Sequence, residues 1–585
     1  MAYNTPPHVT HYHIADYAQV MFHGLKLDST MAGYFILLPL LLVLVTVWLP
    51  KLPFRKILLI YYGILALAIS IAFIADLTLY AFWNFKLDAT VLIYMDSPSN
   101  AMASVSMGFI LLRVFFVLLL SAGLFWIFWK ITPAVFSLTK WKIAGSVFLL
   151  LLGGVFFILI RGGITASTSN IGRVYYSDDQ FLNHSAVNPV FSFMSSLGKT
   201  ENFSEQFNFF PEEQRCELFD GLYPKGGETV THLLKTSRPN VLIILMESFG
   251  GGFVGALGGN PEIAPNFNRL AEEGVFFTQC YSNSFRTDRG VICTLSGYPG
   301  LPTTSIMKMP VKSQQLPSIA KSLVKAGYKT DFLYGGDVDF TNMQSYLRST
   351  GYQKIISDKD FSLKEQRTHA WGVTDGITFE YLYNTIVQRT DTPWHTAFLT
   401  LSSHDPFEVP YKRLDNKVEN AFAYTDECLG QFIDKLKQTP AWDNLLVILL
   451  PDHGYAYPEG DTSHDLTFFH TPMLWLGGAV TKPERIATII NQTDLPAILL
   501  GQLQGVQGTS ADEFFFSRNV FSSDFFYPFA IFSPKNEFGL LDSTGISMYD
   551  NISDRVILDN PAPNQQRIDR LKAILQTLYD DLGKK

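Results

Sequence analysis

Cysteine and charged residues are scarce in this sequence. The 585 residues include only four cysteines, Cys216, Cys280, Cys293 and Cys428, and no two of them form a CxxC pair. A zinc-thiolate cluster is therefore not expected, and the count permits one disulfide without requiring it. Charged residues make up 17% of the chain, the net charge is −8, and no block of basic residues occurs. No nucleic acid partner is therefore expected.

The start of the chain, MAYNTPP, has neither the basic region nor the apolar core of a signal peptide. Long apolar runs are nevertheless present, because 47% of the residues are hydrophobic and the mean hydropathy is +0.14. Each run is close to the ~20 residues that cross a bilayer as a helix. They are Gly33 to Leu49, Ile57 to Ala75, Gly108 to Trp129 and Ile143 to Ile160. These four spans predict a transmembrane domain over residues 1–162.

The basic residues between the spans predict the orientation of the chain. The loop after the first span and the loop after the third are rich in lysine and arginine, which marks them as cytoplasmic. The residues are Lys51, Arg55 and Lys56 in one loop, and Lys130, Lys140 and Lys142 in the other. We therefore expect a multi-pass cytoplasmic (inner) membrane protein whose residues after Arg161 are extracytoplasmic, either periplasmic or extracellular.

Residues 163–238 differ in composition from both neighbours, being rich in Gly, Ser, Asn and aromatics. They predict a juxtamembrane connector that either lies along the bilayer surface or is a partly ordered linker. From residue 239 to 585, short apolar runs alternate with amphipathic helices, which is typical of a parallel sheet covered on both faces. The predicted architecture is an α-helical membrane domain followed by an α/β domain with a mostly parallel sheet between helices.

Polar residues follow the predicted strands at their carboxyl ends, where open α/β sheets place their chemistry. Glu247 ends the run NVLIILME, and Asp452 and His453 end the run NLLVILLPDH. A carboxylate behind so apolar a strand must be solvated, paired or bound to a cation. Oxygen and nitrogen ligands of this kind suit Mn²⁺, Mg²⁺ or Zn²⁺. The motif DHG alone also fits a simple turn.

The stretch SFRTDRG places Thr287 between Arg286 and Arg289, ahead of a predicted helix. A threonine before a helix is most often an N-cap. Coordination to a divalent cation would instead activate its hydroxyl as a nucleophile. A helix N-terminus and the two arginines favour an incoming phosphate, although one of the arginines could simply face solvent.

Five motifs in this order resemble the lipoteichoic acid synthase-like phosphoglycerol transferases of the alkaline phosphatase and sulfatase superfamily. They are NVLIILMES with Glu247, FRTDRGVICTLSGYP with Thr287, WGVTDG from Trp371, LSSHDPF with His404 and PDHG from Asp452. The stretches HGLKLD and LNHSAVNPVFS resemble the same family near the membrane. Members of that family usually carry five membrane helices, whereas four are visible in this sequence.

The resemblance implies a role for each matching residue. Glu247, Thr287, Asp452 and His453 would hold a divalent metal, most often Mn²⁺, and Thr287 would be the nucleophile. His404 would bind the substrate, with Arg286 and Arg289 as further candidates, whereas Trp371 and Asp375 read as structural. The implied reaction moves glycerol phosphate from phosphatidylglycerol to an envelope glycan or a glycerophosphate acceptor.

Other activities of the superfamily remain alternatives. They are a phosphoethanolamine transferase, a phosphodiesterase, a sulfatase-type hydrolase and a non-catalytic lipid-binding regulator. Formylglycine sulfatases need a Cys or Ser followed by Pro and Arg, which CTLSG at Cys293 lacks. Regulators tend to lose metal ligands, whereas all four positions are filled here.

Overall fold

A computed structural model describes residues 1–6, 11–83, 86–89, 91–92, 107–134, 140–164, 167–197, 202–458, 465–503 and 505–585. The chain divides into two compact units. The first extends to residue 201, and the second starts at Asn202.

The first unit contains four helices that are long and apolar enough to cross a membrane. They are α1 (Ile14–Trp48), α2 (Phe54–Trp83), α3 (Met107–Ile131) and α4 (Lys142–Arg161). Each covers one of the predicted apolar runs, with only Leu49 of the first run lying beyond the end of its helix, so this is a membrane protein. Two short helices follow, α5 (Gln180–Ala186) and α6 (Pro189–Ser196).

Helix α1 begins at Ile14, well before the predicted span at Gly33. The added turns mix charged residues such as Asp16, Lys26 and Asp28 with apolar ones, so they do not belong to the continuous apolar run. Their side chains have partners in the segment that follows the fourth helix. Lys26 Nζ donates to the Arg173 carbonyl oxygen at 2.9 Å, and Asn188 Nδ2 donates to Asp28 Oδ1 at 2.7 Å. The HGLKLD and LNHSAVNPVFS stretches thus contact each other in the folded unit.

The second unit is built on a nine-stranded sheet with the order β4-β3-β5-β1-β6-β7-β2-β8, and β9 pairs with β2. Its strands are β1 (Asn240–Met246), β2 (Val275–Tyr281), β3 (Lys329–Tyr334), β4 (Lys354–Ile356), β5 (Trp394–Leu399), β6 (Leu445–Pro451), β7 (His470–Leu476), β8 (Glu484–Ile486) and β9 (Ile490–Asn491). All pairings are parallel except those of β7 with β6 and with β2.

Apolar clusters cover both faces of this sheet. Val241, Ile243 and Leu245 of β1 point into one cluster, whereas Leu242 and Ile244 point into the other. The continuous run of β1 is therefore apolar because both of its faces are buried. This arrangement confirms the predicted α/β class.

Twelve helices accompany the sheet among the described residues. They are α7 (Phe203–Gln206), α8 (Glu212–Phe219), α9 (Pro265–Ala271), α10 (Thr287–Ser296), α11 (Pro310–Ser313), α12 (Ile319–Lys325), α13 (Met343–Ser349), α14 (Asp375–Gln388), α15 (Lys417–Leu436), α16 (Leu466–Phe469), α17 (Leu495–Gln502) and α18 (Gln565–Lys584).

A second sheet near the end of the chain was not predicted. It is antiparallel and contains β10 (Phe529–Phe532), β11 (Glu537–Asp542), β12 (Gly545–Asp550) and β13 (Arg555–Asn560) in that order. The strand β13 is mostly exposed, so it lacks the apolar run by which the central strands are recognised. Buried Arg567 of α18 ties the sheet to the helix, because its Nη2 pairs with Asp559 Oδ1 at 2.6 Å.

Candidate active site

The register of β1 and β6 brings the predicted acidic residues together. Met246 is paired with Pro451, so Glu247 and Asp452 both follow the last paired position of neighbouring parallel strands. Both side chains are buried, Glu247 with 2% and Asp452 with 0% of its surface exposed. The carboxyl edge of the sheet therefore carries two buried carboxylates side by side, as the sequence predicts.

Thr287 reaches this edge from the first turn of α10. Its Oγ1 donates to Glu247 Oε2 at 3.3 Å and lies 3.5 Å from His453 Nε2. The close approach depends on Gly290, since an added Cβ there would lie 2.0 Å from the Asp452 carbonyl oxygen. Glycine is thus needed in RTDRG because the helix presses directly against the end of β6.

Glu247, Asp452 and His453 form a group able to hold a metal ion, with one ligand atom of each within 4.8 Å of the others. His453 Nε2 lies 3.5 Å from both Glu247 Oε1 and Asp452 Oδ2. Within the described part of the chain, buried Asp452 Oδ2 accepts no hydrogen bond. An orphaned buried carboxylate oxygen fits a cation ligand, and the oxygen and imidazole donors fit a divalent metal.

The electrostatics of the site support the same fit. Burial and the neighbouring Glu247 carboxylate raise the pKa of Asp452 to about 7. Burial disfavours the charged imidazolium of His453, but the Asp452 and Glu247 carboxylates outweigh it and raise the pKa of His453. A cation beside Asp452 would favour its ionised form and so offset the burial and the repulsion that raise its pKa.

Three further polar residues hold Glu247 and Asp452 in place. Ser248, which adopts a left-handed φ of 60°, donates from its amide to Asp452 Oδ1 at 3.0 Å and from its hydroxyl to Glu247 Oε1 at 2.7 Å. Ser403 Oγ donates to the Glu247 carbonyl oxygen at 2.6 Å. Gln492 Nε2 donates to the Asp452 carbonyl oxygen at 2.7 Å, a contact that no motif in the sequence reveals.

The two arginines beside Thr287 have different surroundings. Arg289 Nε donates to the carbonyl oxygens of Leu301 and Thr304 at 3.1 and 2.9 Å, which ties the following loop to α10. Arg286 is exposed, and its guanidinium carbon lies 6.0 Å from the Phe285 ring centroid. Arg286 is therefore better placed than Arg289 to meet an anion.

His404 lies in the loop after β5 and is partly exposed. Its ring contacts Trp371 edge-on, with centroids 5.0 Å apart, and no hydrogen bond links it to the metal-binding group among the described residues. Buried Asp375 shapes this loop, because its carboxylate accepts hydrogen bonds from the backbone amides of Leu401 and Ser402, with N···O distances of 2.8 and 3.2 Å. These hydrogen bonds support a structural role for Asp375.

Two other histidines, His464 and His470, lie close to the start of β7 in the sequence. His470 begins β7, and its Nε2 lies 2.9 Å from the Thr278 carbonyl oxygen while its ring stacks on Tyr281. These contacts make His470 part of the packing. His464 lies outside the described residues.

With this geometry, comparison with known proteins identifies the domain. Residues 239–506 match the Sulfatase family. The matched region, a little under half of the chain, is therefore similar to the Sulfatase family and contains Glu247, Thr287, Asp452 and His453.

Curated relatives match part of the chain. Lipoteichoic acid synthase-like YvgJ of Bacillus subtilis is 22% identical over 295 residues, which is 48% of this chain and 44% of the relative. Lipoteichoic acid synthase 1 of Bacillus subtilis is 26% identical over 233 residues, and lipoteichoic acid synthase of Staphylococcus aureus is 24% identical over 236 residues. Each of these two matches covers 37% of this chain and 36% of the relative. The chain thus spans less than half the length of the curated relatives it matches.

Solved structures share the fold of the sulfatase-family domain. A protein of the alkaline phosphatase superfamily from Vibrio parahaemolyticus has a TM-score of 0.55 and 26% identity, covering 64% of this chain and 98% of that one. Lipoteichoic acid synthase LtaP from Listeria monocytogenes has a TM-score of 0.50 and 16% identity, covering 63% of this chain and 97% of that one.

Proposed function

We propose that this protein is a membrane-anchored, metal-dependent phosphoglycerol transferase. It takes glycerol phosphate from phosphatidylglycerol and passes it to a hydroxyl of an envelope glycan or a glycerophosphate acceptor. The observation that carries the proposal is the position of Thr287, whose hydroxyl lies 3.3 Å from Glu247 and 3.5 Å from His453. The active domain is extracytoplasmic in this proposal, as the basic loops predict.

Glu247, Asp452 and His453 hold the divalent metal, with Thr287 as a fourth ligand and Mn²⁺ as the favoured ion. When bound, the metal lowers the pKa of the threonine hydroxyl and neutralises phosphoryl charge. The protein contributes position, since Ser248 and Ser403 fix Glu247 from both of its ends. The N-terminus of α10 adds partial positive charge beside the phosphoryl group.

Two exchanges at phosphorus make up the reaction. In the first, a bond forms between Thr287 Oγ1 and phosphorus while the bond from phosphorus to the diacylglycerol oxygen breaks. The hydroxyl proton leaves Thr287, and diacylglycerol departs with a proton on its oxygen. In the second, an acceptor hydroxyl forms the bond to phosphorus, the bond to Thr287 breaks, and the threonine regains a proton.

The test uses the detergent-solubilised full chain and phosphatidylglycerol labelled in its headgroup. With Mn²⁺ we expect diacylglycerol release and label trapped on the protein, whereas Thr287→Ala releases none and traps none. Chelation with EDTA should stop release and lower the melting temperature, because the two buried carboxylates then lose their counter-ion. An Arg485→Ala variant is the matched control, since Arg485 is an exposed arginine of β8 paired with exposed Glu272.

Parallel assays distinguish the other activities of the superfamily. Headgroup-labelled phosphatidylethanolamine tests for a phosphoethanolamine transferase, an aryl sulfate tests for a sulfatase, and label released as free glycerol phosphate indicates a phosphodiesterase. Intact lipid in every assay, with metal still bound, would contradict the proposal and favour a lipid-binding regulator.

A further inference from the structure

Three basic side chains come together at the end of α4, in the first unit, whereas the candidate active site belongs to the second. We call them the basic cluster and define it as Lys26 of α1, Arg161 at the last position of α4, and Arg173 of the short helical turn Ile171–Val174. The transfer reaction proposed above uses none of the three. Their position therefore needs an explanation of its own.

The cluster forms because the chain after α4 folds back onto α1. The Ser169 amide donates to the Arg161 carbonyl oxygen at 2.8 Å. Buried Thr30 of α1 donates to the Leu159 carbonyl oxygen at 3.2 Å, and its hydroxyl lies 2.9 Å from Ser169 Oγ. Lys26 lies one turn before Thr30 on the same face of α1, so its side chain reaches the same stretch of chain.

Specific contacts hold each of the three charges in place. Lys26 Nζ donates to the Arg173 carbonyl oxygen at 2.9 Å, and Arg161 Nη1 donates to the Gly163 carbonyl oxygen at 3.1 Å. Arg173 packs on Gly162, because a Cβ added to this glycine would lie only 1.9 Å from Arg173 Nη1. The two guanidinium groups therefore flank one pair of glycines. A basic residue in the last turn of α4 also offsets the helix dipole, but this explains Arg161 alone.

Apolar side chains that face outward lie directly before and after Arg161. The last turns of α4 expose Val155, Ile158 and Leu159, and Ile164 has 87% of its surface exposed just beyond the helix. Apolar helix surface that ends in positive charge matches the order of acyl chain and phosphate in a phospholipid.

The charges of the cluster go against the usual distribution of basic residues. The loop after α1 and the loop before α4 are the basic loops that predict the cytoplasmic side, so the cluster lies at the opposite ends of these helices, where Lys and Arg are normally rare. Asp28 faces away from Lys26, because residues two apart do not share a helix face, and its Oδ1 accepts a hydrogen bond from Asn188 at 2.7 Å. An anionic ligand would offset the concentrated positive charge.

We propose that the basic cluster binds the phosphate of an anionic phospholipid, taken from the leaflet where α1 begins and α4 ends. The acyl chains lie along the exposed apolar surface of α4, and the phosphate oxygens accept hydrogen bonds from the guanidinium and ammonium groups. Three positive charges favour a headgroup with net negative charge over a zwitterionic one. The inference goes beyond the proposed function, whose lipid donor reacts at Thr287 of the second unit.

The test measures lipid binding to the full detergent-solubilised chain by native mass spectrometry, with dioleoylphosphatidylserine and dioleoylphosphatidylcholine titrated separately. We expect wild type to bind phosphatidylserine at least about tenfold more tightly than phosphatidylcholine. Arg161→Gln/Arg173→Gln should bind phosphatidylserine about 30-fold more weakly than wild type, at about a factor of five for each lost charge. Arg161→Lys/Arg173→Lys keeps both charges and should stay within about fivefold of wild type.

Two further variants and a competing ion locate the bound lipid. Lys417→Gln/Arg485→Gln is the matched control, because it removes two exposed basic residues from the second unit and should bind phosphatidylserine as wild type does. Arg286→Ala removes a cation of the candidate active site and should also leave binding unchanged. Inorganic phosphate at the concentration of the lipid should not displace it, because the acyl chains contribute to binding.

Each result decides the inference without reference to diacylglycerol release, so the proposed function can fail while the inference stands. Equal affinity of wild type for the two lipids would overturn it, as would unchanged phosphatidylserine binding in the glutamine variant or equal weakening in the matched control. Loss of binding in Arg286→Ala would assign the lipid to the active site, and displacement by phosphate would leave only an anion site; either result overturns the inference. If the glutamine variant does not fold, the selectivity of wild type and the affinity of the lysine variant still decide.

Discussion

Gly290→Ala offers a direct test of how the active site is assembled. The added methyl group would lie 2.0 Å from the Asp452 carbonyl oxygen, whereas real Cβ atoms essentially never come closer than 3.0 Å to a neighbour. The added methyl group would meet a backbone atom, so rotation of a side chain cannot relieve the clash. The start of α10 and the end of β6 must therefore separate by about 1 Å.

The expected effects on stability and activity differ in size. Alanine in place of a helical glycine normally stabilises a helix by about 1 kcal/mol. The steric clash with the backbone costs about 1–3 kcal/mol. The free energy of unfolding should therefore fall by at most ~2 kcal/mol. Separation by ~1 Å moves Thr287 away from its ligand partners, and such a displacement typically lowers turnover about 100-fold. The variant should therefore fold yet lose most of its activity.

The assay measures diacylglycerol release from phosphatidylglycerol together with the thermal midpoint and the Mn²⁺ affinity. Gly123→Ala is the control, because Gly123 is also helical and nothing lies within 4 Å of its added Cβ. Activity in Gly290→Ala within twofold of wild type, with unchanged Mn²⁺ affinity, would refute the packing argument. An unfolded variant would show that overpacking exceeds our estimate.

Three other predictions follow from buried polar groups. Tyr334 is 9% exposed with no hydrogen-bond partner for its hydroxyl among the described residues, and burial followed by the nearby metal-site carboxylates raises its pKa well above the ordinary value. Tyr334→Phe should lower diacylglycerol release about tenfold, which is the value of about one hydrogen bond from the tyrosine hydroxyl to a charged group, and Mn²⁺ affinity should stay unchanged. Equal activity of the variant and wild type would make Tyr334 a packing residue. Asp375→Asn weakens the bonds to Leu401 and Ser402, so it should lower kcat/KM at least about tenfold through the loop that carries His404, while Mn²⁺ binding persists; loss of metal together with activity would contradict this. Burial lowers the pKa of His395 from 6.5 to about 4. The folded state therefore loses free energy of unfolding as the pH falls from 6.5 to 4, because the unfolded chain binds the proton first. The full loss is about 3 kcal/mol, and none of it occurs above pH 6.5. In denaturant melts at pH 7.5 and 4.5, His395→Gln should show a smaller loss than wild type, and an equal loss would contradict the assignment.

Much of the candidate site follows from local sequence. Strands buried on both faces read as continuous apolar runs, so β1 and β6 and the polar residues at their ends are visible without a structure. Parallel strands end at one edge of a sheet, which is why Glu247, Asp452 and His453 were expected to meet. Thr287 was expected ahead of a helix, whereas the structure places it at the first position of α10 and makes Arg286 the N-cap residue.

The outer parts of the site depend on contacts that are distant in sequence. The different surroundings of Arg286 and Arg289 arise from the loop at residues 301–304, which no local pattern associates with α10. The antiparallel β10–β13 sheet has an exposed edge strand and therefore no long apolar run.

The sequence by itself determined the apolar helices, the α/β class and the polar side chains that end β1 and β6, because each depends on local hydropathy or on residue types at strand ends. Only the tertiary structure decided their register, the need for glycine at Gly290, the support from Ser248 and Gln492, and the basic cluster at the end of α4. Those features arise where segments far apart in the chain come within a few ångströms of each other, and such distances are set by packing.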